Sequence, residues 1–285
     1  MKKILLLLIG FTTILFFSCK RQEKQKLDVE KVEGPVRHKP KDVAYQIQNA
    51  KEWLTKNKSD STSLRIVCAV NRTDTANLKE MDSILVPEDL SGDIEFYLPF
   101  PLEVEALKEV NKIIFFSYTT QIFAAYENGY LVHTGPTNMG REKDPTPTGL
   151  FFTNWKAEQT TSTFNDEWDL KWNFNIANKL GVGFHQYDLP GYPASHSCLR
   201  LQEKDARYLY DWADEWILAD EENVKVKGTP VIVFGNYDFK AAKPWLQLVS
   251  NPKALDITAT DIEKTVQAFM SSIMKAQKER TAFKG

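Results

Sequence analysis

The sequence predicts an α+β fold in which the central part of the chain is predominantly β-sheet. Apolar runs over residues 113–118 and 121–126 are followed by the turn Glu127–Asn–Gly129, the pattern of consecutive strands joined by a hairpin. Apolar side chains recur at helical spacing over residues 43–57 and again over residues 261–281. We therefore expect a small α/β region before the sheet and a helix after it.

The composition is that of an ordinary folded protein. The chain has 285 residues, of which 42% are hydrophobic and 26% are charged, enough to bury a core for one or two domains. The formal net charge is −2 and the sequence has no long basic stripe. We therefore expect no nucleic-acid partner, since such proteins carry a concentrated positive surface.

The N-terminus has the pattern of a secretion signal. Lys2 and Lys3 precede an apolar run over residues 4–17, which is too short to span a membrane comfortably and ends at Ser18 and Cys19. A small residue directly before cysteine is typical of a lipoprotein signal, in which Cys19 is diacylated and becomes the new N-terminus. Such lipid chains would tether the protein to a membrane. A plain signal peptide or a membrane anchor is the alternative.

The chain is expected to comprise five consecutive segments. They are a signal peptide (1–18), a flexible tether (19–42), a small α/β domain (43–105), the main domain (106–240) and a C-terminal helical extension (241–285). The tether is expected because this stretch is charged and poor in apolar side chains, so that it cannot form a packed core.

The small α/β domain is expected to contain a helix over residues 43–57 and a strand over Leu64–Val70, and a further helix is expected over residues 102–110. Cys68 lies in the strand-like run and is predicted to be a small buried hydrophobic side chain. Residues 71–87 resemble the second half of a LysM glycan-binding module, with an Asn-Arg-Thr-Asp turn, a short helix and a Val-Pro end. The Gly-Asp-Thr-Leu segment usual in the first half is missing. A subdomain that packs on the main domain is therefore an equal alternative.

In the main domain, the strand that follows the hairpin contains His133, which is interpreted as a strand residue rather than a site residue. Thr146–Pro–Thr–Gly149 is typical of a turn. The segment 154–176 is rich in aromatic residues, among them Phe164 and Trp172. These side chains are expected to pack in the core or to form a wall or flap over a substrate cleft.

The last part of the chain is expected to be mostly helical. A helix is predicted over Glu203–Leu218, and a final strand ends at Phe234. The C-terminal helix over residues 261–281 is preceded by Thr260–Asp–Ile–Glu263, which has the pattern of a capping box. Its apolar stripe should pack on the main domain or on a partner.

The segment 181–201 concentrates the residues that can carry chemistry. It holds two of the four histidines and one of the three cysteines of the chain. Residues 181–184 are predicted to form a short buried strand that ends at His185, and the prolines and glycine of residues 190–193 impose a loop. Such a loop can bring Cys198 back beside His185, and an imidazole at hydrogen-bond distance converts a thiol into the nucleophilic thiolate.

These residues resemble the signature of the L,D-transpeptidases, whose YkuD-type catalytic domain has a His, a loop and then Ser/Thr-His-Gly-Cys-x-Arg. Here the signature is His185 followed by Ser195–His–Ser–Cys–Leu–Arg200. Upstream, Thr146–Gly149 is similar to the Thr-Pro-Thr-Gly segment of the family. Downstream, Gly228–Phe234 is similar to the last strand of the family.

Two positions depart from the family pattern. Ser197 replaces the usual glycine before the nucleophile, and Gln186 replaces the usual glycine after the first histidine. If residue 197 has a positive φ, serine carries a steric cost that glycine would not. The expected role of residue 186 uses its backbone carbonyl, which would orient the imidazole and which glutamine retains.

The resemblance implies a predominantly β, mixed-sheet catalytic domain that performs acyl transfer on peptidoglycan stem peptides. Cys198 would attack the carbonyl between the third stem residue, a diamino acid, and the D-alanine of a tetrapeptide donor. An amine acceptor from a second stem peptide would then resolve the thioester. His185 would move the proton, and backbone amides near Ser197 and Cys198 would stabilise the oxyanion.

The other site residues implied by the resemblance have supporting roles. Arg200 would fix the loop or a substrate carboxylate, and His196 would support the site rather than act as the base. We assign Ser195, Tyr187 and Trp172 as candidates for substrate binding. No cofactor and no metal is expected, and the chain would face the periplasm from a lipid anchor in the cell envelope of a Gram-negative-type bacterium.

Four alternatives share these residues. Zinc binding by His185, His196 and Cys198 has no evident fourth ligand and no common spacing. A disulfide between Cys68 and Cys198 would block the nucleophile. Water in place of the amine acceptor would give an L,D-carboxypeptidase. Finally, Ser197 would spoil the oxyanion site in an inactive relative that only binds peptidoglycan.

Overall fold

The computed structural model describes residues 34–161 and 169–284, and residues 34–285 form one compact unit. The expected signal peptide, Cys19 and most of the tether lie outside the described residues, as do Phe164 and the rest of residues 162–168 in the aromatic-rich segment. In the part of the chain that is described, no helix has the length and apolar character needed to cross a membrane.

The helices and strands follow each other in mixed order. The strands are β1 (Tyr45–Asn49), β2 (Ser83–Pro87), β3 (Ile113–Ser117), β4 (Ile122–Glu127), β5 (Tyr130–Asn138), β6 (Gly149–Phe152), β7 (Lys156–Thr161), β8 (Asp169–Ala177), β9 (Val182–Gln186), β10 (Leu199–Leu201), β11 (Ile217–Leu218), β12 (Val224–Val226) and β13 (Pro230–Phe234). The helices are α1 (Ala50–Asn57), α2 (Ser61–Val70), α3 (Thr75–Leu78), α4 (Glu203–Trp212), α5 (Ala259–Gln267) and α6 (Met270–Lys284). Single 3₁₀ turns occur at Ile94–Tyr97, Glu105–Leu107, Asn178–Leu180 and Pro244–Val249.

Within the described residues, one large mixed sheet organises the fold. Its nine strands lie in the order β6-β13-β3-β4-β5-β10-β9-β8-β7. The pairs β13/β3 and β10/β9 are parallel, and the other neighbours are antiparallel. The predicted α+β, predominantly β mixed-sheet fold is therefore confirmed, as is the hairpin that joins β4 to β5 at Asn128 and Gly129.

Both faces of the sheet are covered because its central strands alternate between two apolar clusters. In β3, Ile113 and Phe115 belong to one cluster, and Ile114 and Phe116 belong to the other. Helices α5 and α6 pack on the first cluster, and α4 packs on the second. Their buried contacts are Ile262, Val266 and Ile273 on the first side, and Ala206 and Leu209 on the second.

The predicted strand over Leu64–Val70 is wrong, because these residues belong to helix α2. The Asp60 side chain caps this helix by accepting hydrogen bonds from Thr62 N and Ser63 N at 3.1 and 3.0 Å. The helix is buried on two sides, since Val70 packs in the first cluster and Cys68 packs in a third cluster with α1 and β2. A helix buried on two sides loses the one-sided apolar stripe that identifies a helix in sequence.

The predicted helix over residues 43–57 begins only at Ala50. Residues 45–49 instead form β1, which pairs antiparallel with β2, and Asn49 caps α1 through Glu52 N at 3.0 Å. Residues 45–87 therefore have the order strand, helix, helix, short helix, strand. The LysM-like character of this region stays a prediction.

Three other helix predictions need correction. The helix over residues 102–110 is reduced to one 3₁₀ turn, and the helix that begins at Glu203 ends at Trp212. The C-terminal helix is divided into α5 and α6 by a break after Gln267. Its capping box is formed by Thr258 and Asp261, where Thr258 Oγ1 accepts from Asp261 N at 3.1 Å and Asp261 Oδ2 accepts from Thr258 N at 2.9 Å.

Candidate active site

His185 lies in β9, between β8 and β10, and only 4% of its surface is exposed. Its Nδ1 is 3.0 Å from the backbone carbonyl oxygen of Gln186. A carbonyl oxygen only accepts hydrogen bonds, so Nδ1 carries the proton and Nε2 has the lone pair. The expected orientation of the imidazole by residue 186 is present, with Nε2 as the nitrogen that can accept a proton.

Cys198 directly precedes β10, which runs parallel to β9. Arg200 pairs with His185 in this register, and side chains two residues apart share a face of a strand. Arg200 and His185 therefore lie on one face of the sheet, and Cys198 lies two residues before Arg200. The Cys198 thiol is half-buried, with Sγ 3.9 Å from the carbonyl oxygen of Gly181.

Burial governs the protonation of both groups. It lowers the pKa of His185 to about 4, with a further decrease from Arg200 and an opposing increase from the Gln186 hydrogen bond. Burial raises the pKa of the Cys198 thiol, while a backbone hydrogen bond from Gly183 and the charge of Arg200 oppose this. At neutral pH, these directions favour a neutral thiol on Cys198 and a neutral imidazole on His185, whereas the sequence predicts a thiolate.

The turn before the nucleophile has a strained backbone. Ser197 has φ = 78°, in the region where a side chain is disfavoured. Thr146 Oγ1 donates to the Ser197 carbonyl at 2.9 Å, and Ser197 Oγ donates to the Asp144 carbonyl at 3.3 Å. The Thr146–Gly149 segment therefore also supports the site, because Thr146 holds the backbone of Ser197, the residue directly before Cys198.

Replacing Ser197 tests this conformation. We expect Ser197→Gly to be more stable than Ser197→Ala by about 1 kcal/mol, because only alanine retains the Cβ that positive φ penalises. Both variants lose the hydroxyl bond to Asp144, so that loss cancels in the comparison. At ordinary positions alanine is the more stable residue by about 0.4–1 kcal/mol. Urea unfolding of both variants measures the order, and a more stable alanine variant would contradict a positive φ in solution.

Ser195 and His196 lie in the same turn. Ser195 is fully buried, and its Oγ donates to the Cys198 carbonyl at 2.6 Å. Ser195 therefore holds the turn. The sequence analysis had assigned it to substrate binding. His196 is half-buried with Nε2 4.0 Å from Asp144 Oδ2, which also lies 2.5 Å from Arg141 Nε. Burial, together with Arg141, lowers the pKa of His196, consistent with a supporting position.

Tyr187 and Arg200 pack against each other beside His185. The Arg200 guanidinium lies 4.5 Å from the centre of the Tyr187 ring, and that ring is 6.1 Å from the His185 ring in an edge arrangement. A cation over an aromatic face is attracted by the ring electrons. Tyr187 thus lines the site, where it also fixes Arg200.

Trp172 lies on the other side of the sheet, so its predicted role in substrate binding is not supported. Its ring is 5.5 Å from the ring of Tyr210, on which Phe174 also packs. Phe174 contacts Phe184, the neighbour of His185 in β9, and adjacent strand residues point to opposite faces. Trp172 therefore packs between β8 and α4, at an irregularity where its own φ is 55°.

Sequence reasoning missed Asn138, which holds the loop between the two candidate catalytic strands. We call residues 187–197 the catalytic loop. Asn138 Oδ1 accepts from Ala194 N at 3.1 Å, and Nδ2 donates to the Tyr192 carbonyl. Asn138 also pairs with Arg200 across β5 and β10. Asn138 lies in the stretch 135–144, which is rich in Gly, Pro and Asn, so the sequence gave no signal that distinguished it from a turn residue.

The remaining candidates have simpler positions. His133 is a strand residue, as predicted, with Nε2 2.9 Å from Asp205 Oδ1. Cys68 and Cys198 are free thiols, and burial raises the pKa of Cys68 to about 12. In residues 34–161 and 169–284, no group of three or more His, Cys, Asp or Glu side chains is placed to hold a metal.

One protein-family model matches the central part of the chain. Residues 111–233 match the model of the L,D-transpeptidase catalytic domain, YkuD, which confirms the resemblance seen in the motifs. A comparison with curated proteins gives no match. The matched range contains the motif residues His185 and Ser195–Arg200.

Several solved structures are similar over part of their length. An L,D-transpeptidase from Stackebrandtia nassauensis is 24% identical with a TM-score of 0.37, covering 45% of this chain and 57% of that chain. An L,D-transpeptidase from Mycobacterium smegmatis is 20% identical with a TM-score of 0.35, covering 44% and 59%. One from Mycobacterium tuberculosis H37Rv is 20% identical with a TM-score of 0.35, covering 44% and 58%. The chain thus spans less than two thirds of each of them.

Proposed function

We propose that this protein, whose residues 111–233 match the model of the L,D-transpeptidase catalytic domain, is a cysteine acyltransferase acting on peptidoglycan stem peptides. The observation that carries the proposal is the parallel pairing of β9 with β10. It sets Arg200 opposite His185, with Cys198 two residues before Arg200 and its Sγ 3.9 Å from the carbonyl oxygen of Gly181, directly before β9. The proposed donor is a tetrapeptide stem, and the acceptor is an amine of a second stem peptide.

In the first step, the Cys198 sulfur attacks the carbonyl carbon between the third stem residue and D-alanine. The thiol proton passes to His185 Nε2, whose lone pair is available because Nδ1 is bound to Gln186. Backbone amides of Ser197 and Cys198 are the donors for the developing oxyanion, and a preorganised donor of this kind is worth about 3–4 kcal/mol. The C–N bond then breaks, D-alanine leaves with the proton from His185, and a thioester remains.

In the second step, the acceptor amine attacks the thioester carbonyl. His185 takes a proton from the amine, the C–S bond breaks, and the Cys198 sulfur regains a proton. Both pKa shifts keep the thiol of Cys198 protonated and the imidazole of His185 neutral before substrate reacts. They therefore support a mechanism in which the proton moves to His185 as the new bond to carbon forms. If water takes the place of the amine, the same thioester gives a carboxypeptidase.

The positive φ of Ser197 supports an active site over an inactive relative. The strained turn is retained by two hydrogen bonds, from Thr146 Oγ1 and to the Asp144 carbonyl, although serine occupies it. Strained backbone of this kind persists where the surrounding structure fixes it. The turn therefore keeps its shape without the glycine of the family signature.

The proposal is tested by the intact mass of the full chain mixed with disaccharide-tetrapeptide. We expect a covalent adduct on Cys198 with release of free D-alanine. Cross-linked dimers in the products indicate transfer to an amine, whereas tripeptide alone indicates the carboxypeptidase. Folded protein that gives neither adduct nor D-alanine would exclude both and favour the peptidoglycan-binding alternative.

We also propose that Cys19 is diacylated and holds the catalytic domain at a membrane of the cell envelope, facing the periplasm. The support is the sequence pattern of residues 1–19. Intact mass of the mature protein should show a chain that begins at Cys19 with the added lipid mass, and Cys19→Ala should leave the membrane fraction. A mature chain that begins elsewhere would contradict the lipid anchor.

A further inference from the structure

The Asn71–Asp74 turn, between α2 and α3, lies directly against the catalytic loop. Asp74 Oδ2 accepts a hydrogen bond from Leu189 N at 2.7 Å, and Asp74 N donates to the Leu189 carbonyl at 3.2 Å. Thr73 Oγ1 donates to the same carbonyl at 2.8 Å, and both Thr73 and Leu189 are fully buried. The backbone of Leu189 is thus bound through both its amide and its carbonyl by one short turn.

The turn is itself fixed on both sides. The Asn71 side chain accepts from Leu85 N at 2.8 Å and donates to Leu85 O at 2.7 Å, which ties the turn to β2. The Arg72 side chain is 1% exposed and donates to the Thr120 carbonyl at 2.8 Å, between β3 and β4 of the large sheet. Buried polar groups with several partners of this kind are rigid, because each broken bond leaves an unsatisfied group.

Leu189 is close in sequence to the groups that orient the base. Two residues earlier, Tyr187 N donates to the Leu201 carbonyl at 3.1 Å, and the Tyr187 ring lies under Arg200. The residue before Tyr187 is Gln186, whose carbonyl binds His185 Nδ1. Asn138 holds the catalytic loop at Tyr192 and Ala194. The Asn71–Asp74 turn holds it at Leu189, in the half that adjoins His185.

We propose that Asp74 and Thr73 are positioning residues for acyl transfer, which keep the catalytic loop in the geometry in which His185 and Cys198 react. The inference rests on the proposed function for the reaction itself. The region before the main domain would then help to build the active site. This role is separate from glycan binding, which the resemblance of residues 71–87 to a LysM module would imply. Small displacements of reacting groups have large effects on rate, and about 1 Å can cost a hundredfold.

Asp74→Ser separates the loop contact from the helix cap. Asp74 Oδ1 caps α3 through Asn77 N at 2.8 Å, and serine is a good N-cap residue, but its single short hydroxyl leaves Leu189 N without its acceptor. Asp60→Ser is the matched control, since Asp60 caps α2 through Thr62 N and Ser63 N. We expect kcat of the full chain with disaccharide-tetrapeptide to fall at least about tenfold in Asp74→Ser, with KM little changed, and to stay unchanged in Asp60→Ser.

Thr73 gives a second, independent pair. Thr73→Val removes the hydroxyl that binds Leu189 at nearly constant volume, whereas Thr73→Ser retains it. We expect the valine variant to lose kcat and the serine variant to retain it. Circular dichroism and thermal midpoints establish that each variant is folded at the assay temperature. Wild-type kcat in both Asp74→Ser and Thr73→Val, or an equal loss in Asp60→Ser, would overturn the positioning role.

Hydrogen exchange of residues 187–197 distinguishes failure of this inference from failure of the proposed function. Asp74→Ser and Thr73→Val should accelerate exchange in the catalytic loop, and Asp60→Ser should not. If wild-type protein forms no adduct but the loop responds in this way, the proposed reaction fails while the structural tie is real. If exchange in the loop is unchanged in both variants, the tie is absent and the positioning role is overturned.

Discussion

Cys198→Ala is expected to abolish formation of the acyl adduct and release of D-alanine while leaving the fold intact. The thiol supplies the electron pair for the new bond, and alanine has no group that can replace it. Cys198 is half-buried directly before β10, and its sulfur contacts only backbone atoms, those of Gly181 and Gly183, in the described structure. Its replacement by alanine should therefore leave the packing nearly unchanged. Intact mass after incubation with disaccharide-tetrapeptide measures the adduct.

Cys68→Ala is the matched control, because it removes the other described thiol. Cys68 is buried in α2, and its pKa is raised to about 12, so it is a poor nucleophile at neutral pH. We expect Cys68→Ala to form the adduct at the wild-type rate. Turnover by Cys198→Ala, or loss of the adduct in folded Cys68→Ala, would reject the assignment of the nucleophile.

His185→Gln is expected to lower the acylation rate by about 10²–10⁴, the usual contribution of a positioned general base. In the wild-type protein, the base is active only while the imidazole is neutral. Because burial lowers the pKa of His185 to about 4, the acid limb of the pH–rate profile should lie near pH 4 instead of near 6.5. An acid limb at pH 6 or above would contradict the buried neutral imidazole.

The same shift makes His185 a source of pH-dependent stability. The unfolded histidine binds a proton near pH 6.5, whereas the folded one does so only near pH 4, so protons favour the unfolded chain between these values. The free energy of unfolding should fall by about 3 kcal/mol more in wild type than in His185→Gln as pH falls through this window. Urea unfolding of both proteins at pH 7 and at about pH 4 measures the difference, and an equal change in the two proteins would contradict it.

His133→Gln is the control for the loss of a histidine from the sheet. His133 lies in β5 with Nε2 against Asp205, and a glutamine amide can still donate to this carboxylate. We expect its pH–rate profile and kcat to match wild type. If His133→Gln lost as much rate as His185→Gln, the assignment of the base would be wrong.

Features with local causes were predictable from the sequence. The strands β3 and β4 follow from continuous apolar runs, and the hairpin into β5 follows from the Asn-Gly turn. The hydrogen bond from His185 to Gln186 joins adjacent residues. A positive φ at residue 197 was only a condition in the sequence analysis, raised because the family has glycine there, and Ser197 has φ = 78°. Backbone preference and nearest neighbours determine all of these.

Features determined by tertiary packing were not predictable. Helix α2 is buried on two sides, so Leu64–Val70 has the uniform apolar character of a strand. Trp172 was expected near substrate, but the irregular pairing of β8 places its ring against α4. The contact of Asp74 with Leu189 joins residues 115 positions apart, for which a single sequence contains no local pattern.

This separation of 115 residues also bears on the order of folding. Closing a long chain loop costs more entropy than closing a hairpin, so the strands joined by short turns should pair first. The bonds between the Asn71–Asp74 turn and Leu189 then form only after most of the sheet exists. The catalytic loop would acquire its final shape among the last parts of the molecule, and partly folded chains would carry the Cys198 thiol before an assembled site surrounds it.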